Sequence, residues 1–150
     1  MNEREFLSTM TEFAFIKVGQ IRLDGGNRPS FDLEITNSLT ALQPHGFVYL
    51  WVEISEKLLE IVYVGMAGKT VLARCRQHEG GFRRSSTGMA HADRLRDGSR
   101  QGKRYEVWAR KSGEISLFGV EGLSLASVEE MAFIKKFGRD LGRDQLWNSA

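Results

Sequence analysis

Apolar and polar positions change rhythm several times along this chain, and each change marks an element. Residues 2–14 place Phe6, Met10 and Phe13 at roughly helical spacing, which predicts a short opening helix. Residues 15–23 alternate weakly. The run Asp24-Gly25-Gly26-Asn27, with Pro29 just after it, is a turn signal, and 31–35 alternates as a half-buried strand does. The most apolar stretches follow. Residues 46–53 and 58–64 are rich in Val, Ile, Tyr and Trp and are joined by a polar connection at 55–57, so they read as a hairpin of buried strands. Gly65 ends the second strand, where a residue without Cβ permits a sharp exit. Lys69 or Thr70 then opens a helix that runs through His78 and stops at Gly80-Gly81.

The second half is less regular. Residues 82–104 are basic and punctuated by Gly and Ser, with a short helix at 91–96 closed by Asp97-Gly98-Ser99. Residues 105–110 set Tyr105, Val107 and Ala109 against Glu106, Trp108 and Arg110, the pattern of a third core strand. Ser112-Gly113 turns the chain, and 115–125 is apolar with two glycines, a short strand or loop. Ser127-x-x-Glu130 has the form of a capping box and would head a helix over 128–137, broken by Gly138 and Gly142. These elements predict an α+β fold: a small central, mostly antiparallel β-sheet flanked by helices. Pro44 and Gly46 mark a seam. Residues 1–45 form an N-terminal extension, a helix plus hairpin with no catalytic pattern, and 46–150 carry the candidate chemistry.

Composition changes little in this picture. The chain has 150 residues, 41% of them hydrophobic and 27% charged, as one globular domain requires. Net charge is only +2, but residues 74–111 hold eleven basic residues against four acidic ones. A stretch that basic is either a solvated face or a footprint for a polyanion. Cys75 is the single cysteine, so neither an internal disulfide nor a Cys-His zinc cluster is available. The acidic N-terminus is unlike a signal peptide, and no apolar run is long enough for a bilayer. The expectation is a cytoplasmic protein with no membrane association.

The chemistry concentrates at 46–78. Two strands each carry a tyrosine, Tyr49 and Tyr63, and the next helix presents Arg74 and His78 on one face, four residues apart. Phenols, a guanidinium and an imidazole suit a phosphodiester. Arginine matches phosphate oxygens with its fork, and a phenol acts as a base once a neighbour eases its deprotonation. A hard divalent cation needs a carboxylate, and magnesium manages with one. Glu130 is the candidate, although a capping box accounts for it equally well, and Glu129 is beside it. The tyrosines could equally be core residues with hydroxyls at the rim. His45 and His91 read as structural or surface residues.

At this point the motifs resemble those of the GIY-YIG nuclease superfamily. The two name-giving motifs are Phe47-Val48-Tyr49 and Tyr63-Val64-Gly65, with thirteen residues between the tyrosines, and Gly65-Met66-Ala67 matches the Gly-x-Ala that follows. Phe47 stands where the first glycine is usual, with Gly46 beside it. Arg74 matches the helix arginine and His78 a histidine found in some members. Glu130-Met131-Ala132-Phe133-Ile134-Lys135 matches the metal-binding helix, and Asn148 after Trp147 matches the closing asparagine. The resemblance covers about 46–148. It implies a GIY-YIG-like layer sandwich and a metal-dependent DNA endonuclease, restriction-type or else a repair or structure-specific enzyme. A non-catalytic nucleic-acid-binding domain is the alternative of another class. In the implied mechanism Tyr49 is the general base toward water, His78 relays its proton, Tyr63 positions the water or phosphate and Arg74 stabilises phosphoryl charge. Glu130 holds one Mg²⁺ or Mn²⁺ at the leaving oxygen, and Asn148 orders the site. Double-stranded DNA would be gripped by Arg83, Arg84, Arg94, Arg96, Arg100, Lys103 and Arg104, and a homodimer would supply two sites for two strands.

Overall fold

The computed structural model of the chain describes residues 1–34, 46–140 and 146–148. Ile35, Pro44, His45 and Gly142, which figure in the sequence reading, lie outside the described residues. Helix α1 (Glu3–Glu12) starts on a capping box. Asn2 Oδ1 accepts from the Glu5 N–H at 2.8 Å, and the Glu5 carboxylate accepts from the Asn2 N–H at 3.1 Å. The helix buries Phe6 and Met10. Strands β1 (Ile16–Leu23), β2 (Pro29–Leu33), β3 (Phe47–Ser55), β4 (Leu58–Ala67) and β5 (Arg104–Lys111) form a five-stranded sheet in the order β2-β1-β5-β3-β4. Every pairing in it is antiparallel. Because β1 is hydrogen-bonded to β5, the sheet runs unbroken across the seam at Gly46: the residues before it and after it share one sheet.

Side chains alternate across a strand, so each sheet face builds its own core. On one face Tyr49, Trp51, Tyr105, Val107 and Ala109 pack against helices α2 (Val71–Arg84) and α3 (Ser86–Arg100), which contribute Val71, Cys75, Phe82, Ala92 and Leu95. On the other, Val48, Leu50, Val52 and Ile54 meet α1 and helix α4 (Ala126–Ile134), through Phe6, Met10 and Phe133. Strand β3 is buried on both sides, hence its continuous apolar run. The chain also makes a two-stranded ribbon, β6 (Glu114–Leu117) with β7 (Val120–Ser124), exposed throughout.

Three helices differ from expectation in their bounds. Helix α2 does not stop at Gly80-Gly81 but runs on to Arg84. Helix α3 crosses it so closely that a side chain at Gly88 would overlap the Gly81 carbonyl, and this packing outweighs glycine's weak propensity. Helix α3 spans fifteen residues rather than six, because His91, Ala92, Leu95 and Gly98 form one buried stripe at helical spacing. Asp97-Gly98-Ser99 therefore continues it. Helix α4 begins at Ala126, one residue before Ser127, so the capping box is absent. Ser127 turns its hydroxyl to the Met66 sulfur instead, at 3.2 Å. Past Ile134 the chain widens into a π-helix, Lys135–Asp140, that passes through Gly138 without a break.

Candidate active site

Tyr49 and Tyr63 sit on neighbouring strands in regular register: Tyr49 pairs with Gly65 and Trp51 with Tyr63, so the two tyrosines are diagonal neighbours on one face. Just past them the β3–β4 register slips, between Trp51 and Val52: Val52 pairs with Ile61, leaving Val62 as an extra residue. This β-bulge lets Val62 and Tyr63, adjacent in sequence, both join the α2/α3 face. The two phenol rings come to 6.2 Å, with the Trp51 indole 4.4 Å from Tyr63. Gly65, opposite Tyr49 in the register, gives the Tyr49 ring its room, since a Cβ there would overlap the phenol hydroxyl.

Helix α2 brings up the nitrogen groups. It starts from Thr70, whose Oγ1 accepts from the Ala73 N–H at 3.0 Å. One turn in, Arg74 acts electrostatically on Tyr49, Tyr63, His78 and Glu130 alike. One turn further, His78 Nε2 is 2.5 Å from the Tyr49 hydroxyl, in a hydrogen bond. Burial, then the Arg74 charge, then His91, bring the His78 pKa down to about 3, so the imidazole is neutral at physiological pH. Tyr49 is fully buried. Burial and the neighbouring Tyr63 raise its pKa well above the usual phenol value, against the pull of Arg74. Tyr63, half-buried, is raised by burial and by Glu130, with Arg74 again opposing. The resting site thus holds two protonated phenols, one neutral imidazole and one guanidinium.

The carboxylate arrives from α4. With Ser127 off the cap, Glu130 is released from the capping role. Its half-buried carboxylate accepts from the Met66 backbone N–H and lies in the field of Arg74. Burial still raises its pKa despite both. Glu129, one position earlier, points elsewhere: it accepts from the Gly113 N–H at 2.7 Å and pairs with Arg110 at 2.9 Å. Of the two adjacent acids, Glu130 alone belongs to the tyrosine cluster. No group of three or more His, Cys, Asp or Glu could cage an ion among the described residues. The donor set is one oxygen ligand whose charge is incompletely compensated, which fits a hard divalent cation that keeps its waters and does not fit zinc.

Asn148 lies at the edge of the sheet. Its Oδ1 accepts from the Val64 N–H at 2.9 Å and its Nδ2 donates to the Val64 carbonyl at 2.6 Å. The basic residues do not form one patch. Arg83 and Arg84 are exposed at the end of α2. Arg96 pairs with Asp93, Arg100 with Asp97 and Lys103 with Glu53, while the Arg94 guanidinium covers the Trp147 ring at 5.7 Å. Arg104 lies on the opposite sheet face, in a cleft of about 710 Å³ shared with Arg4, Lys17 and Trp108. His91, read from the sequence as a structural or surface residue, and Trp51, given no role there, lie beside the tyrosines. Both are buried in the same aromatic cluster, with His91 5.2 Å from Tyr63 and 5.5 Å from Trp51. The only sequence signal for His91 was its place in the α3 stripe.

No family model matches the sequence, and no curated protein matches it. Among solved structures, a mutant of bacteriophage T4 EndoII is similar over 95% of this chain and 98% of that one, at 20% identity and a TM-score of 0.65. The restriction endonuclease HPY188I in complex with product DNA is similar over 95% of this chain and 83% of that one, at 16% identity and a TM-score of 0.51. At these identities the likeness is one of architecture: the chain shares its fold with EndoII and with HPY188I.

Proposed function

We propose that the chain is a DNA endonuclease of the GIY-YIG type that hydrolyses phosphodiester bonds with one divalent cation. The observation that carries this reading is convergence. Tyr49 from β3, Tyr63 from β4, Arg74 and His78 from α2, and Glu130 from α4 interact with one another although up to eighty residues separate them. The shared fold with a restriction endonuclease is consistent with it.

Each residue has work it can do. The Arg74 fork holds the phosphoryl oxygens and spreads the charge that develops on them. Tyr63, the more exposed phenol, orients the attacking water. Tyr49 accepts the water's proton and passes its own across the short bond to His78 Nε2. Full burial leaves Tyr49 no direct exit to solvent, which is why the imidazole is needed. Arg74 is the second cause of the low His78 pKa, so a phosphate that neutralises Arg74 makes His78 a better acceptor once substrate is bound. Glu130 would hold the Mg²⁺ or Mn²⁺, which when bound supplies positive charge at the leaving oxygen.

Among roles open to such an enzyme we favour restriction, with double-stranded DNA as substrate and a homodimer supplying the second cut. The test is incubation with supercoiled plasmid and with branched and mismatched duplexes in Mg²⁺, Mn²⁺ or EDTA. Nicked or linear product with metal and none with EDTA is expected. Salt-sensitive binding with no cleavage of any substrate overturns the reading in favour of a binding module. Preference for branched over plain duplex moves the role from restriction to repair.

A further inference from the structure

Strand β4 is the edge of the sheet, and Tyr63 stands on it with its neighbours' outward backbone groups open to capture. The chain end takes them. The Trp147 N–H donates to the carbonyl of the bulged Val62 at 2.5 Å, and Asn148 closes both a donor and an acceptor bond on Val64. Tyr63 is thereby pinned on both sides. The pinning segment is held in turn from α3. His91 Nε2 donates to the Trp147 carbonyl at 3.0 Å, and Arg94, one turn on, covers the Trp147 indole. The His91 ring also touches Tyr63 directly, edge to face at 5.2 Å. Nothing in the reaction proposed above uses His91, yet it is buried and contacts both the phenol and the segment that fixes the phenol's strand.

We propose that His91 is a positioning residue for Tyr63: by clasping the Trp147–Asn148 segment to the β4 edge it sets the direction of the Tyr63 hydroxyl in the catalytic cluster. Its action goes through Trp147 and through ring contact, and it touches neither substrate nor metal. The bond to a carbonyl requires Nε2 to carry the hydrogen, and the neutral ring favoured by burial supplies this. The catalytic consequence rests on the nuclease reading, while the clasp itself does not.

Two measurements separate these. Amide hydrogen exchange on His91→Leu should be roughly tenfold faster at Trp147 and Val64, with Trp51 and Val107 in the sheet interior unchanged. His91→Gln, whose amide can reach the Nε2 position and donate, should restore most of the protection. Unchanged exchange at Trp147 and Val64, or an equal rise at all four amides, overturns the clasp whether or not the chain cuts DNA. In cleavage assays His91→Leu should lower kcat about tenfold with KM unchanged, and His91→Gln should recover it. A loss confined to KM, or no rescue by Gln when exchange has been rescued, overturns the positioning role.

Discussion

On one face of β3, Val48, Leu50 and Val52 meet Phe6, Met10, Phe133 and Phe137. On the other, one residue along the same strand, Tyr49 and Trp51 lie among His78, His91 and Tyr63. The β3 side chains themselves are fully buried on both faces. The first is hydrocarbon that needs only to fill space. The second is aromatic bodies with polar tips, and each tip must find a partner or pay a desolvation penalty. Tyr49 finds His78, and Tyr105 finds Glu53 at 2.9 Å. The difference teaches how a small sheet can host chemistry: one side supplies stability with no functional obligation, and the other then tolerates shifted pKa values and a bulged strand.

The division can be broken from either side. Leu50→Ala, on the hydrocarbon face, should cost about 2–5 kcal/mol of unfolding free energy and leave cleavage per folded molecule intact, read by urea titration beside a nicking assay. Glu130→Ala should do the reverse, lowering cleavage on the order of 10²–10³-fold with DNA affinity and urea midpoint retained. Unchanged cutting would remove Glu130 from the site. Tyr49→Phe deletes one oxygen, and a drop of about 10²-fold in kcat with about 1–2 kcal/mol of stability is the expected pair of readouts.

Proton linkage offers a gentler probe of the same face. His78 has a folded pKa of about 3 against an ordinary value of 6.5. Between those limits the unfolded chain binds the extra proton, so stability is complete above the unfolded value and is lost as pH falls toward 3. Urea midpoints taken across that window should slope for the wild type and less for His78→Gln. The smallest effect is expected at Cys75, which shares the α2 face but is buried with its pKa pushed up to about 12. Cys75→Ala should keep cleavage within about twofold, as befits an inert thiol.

Strands were the most legible elements, because alternation at 105–110 and the continuous apolar run at 47–52 survive any tertiary context. Glycine misled the helix reading at 80–81, which α2 simply runs through, and at 98, where the close approach of Tyr105 from β5 uses the absence of a side chain. Ser127 misled it at α4, since a cap is decided by where the backbone leaves the β6–β7 ribbon, two residues earlier than the motif requires. Tyr49, Tyr63, Arg74 and His78 could be put forward from residue type and spacing, and Glu130 from the family resemblance. Trp51 and His91 could not, for Trp51 meets Tyr63 through the strand register and His91 through a helix crossing, and neither is encoded in a local pattern.

The neck beneath the β6–β7 ribbon closes on itself. The Ser112 N–H donates to the Gly46 carbonyl, the Leu125 N–H to the Gly113 carbonyl, and the Gly113 N–H to Glu129, which also grips Arg110. Glu129 and Glu130 are successive helical residues, about 100° apart around the axis, so fixing the first fixes the heading of the second. Beyond that neck the ribbon ends in an exposed tip at Phe118 and Gly119. The tip is therefore the place for an insertion: a fluorophore, an affinity tag or a foreign recognition module between Phe118 and Gly119 is expected to leave the heading of Glu130 unchanged.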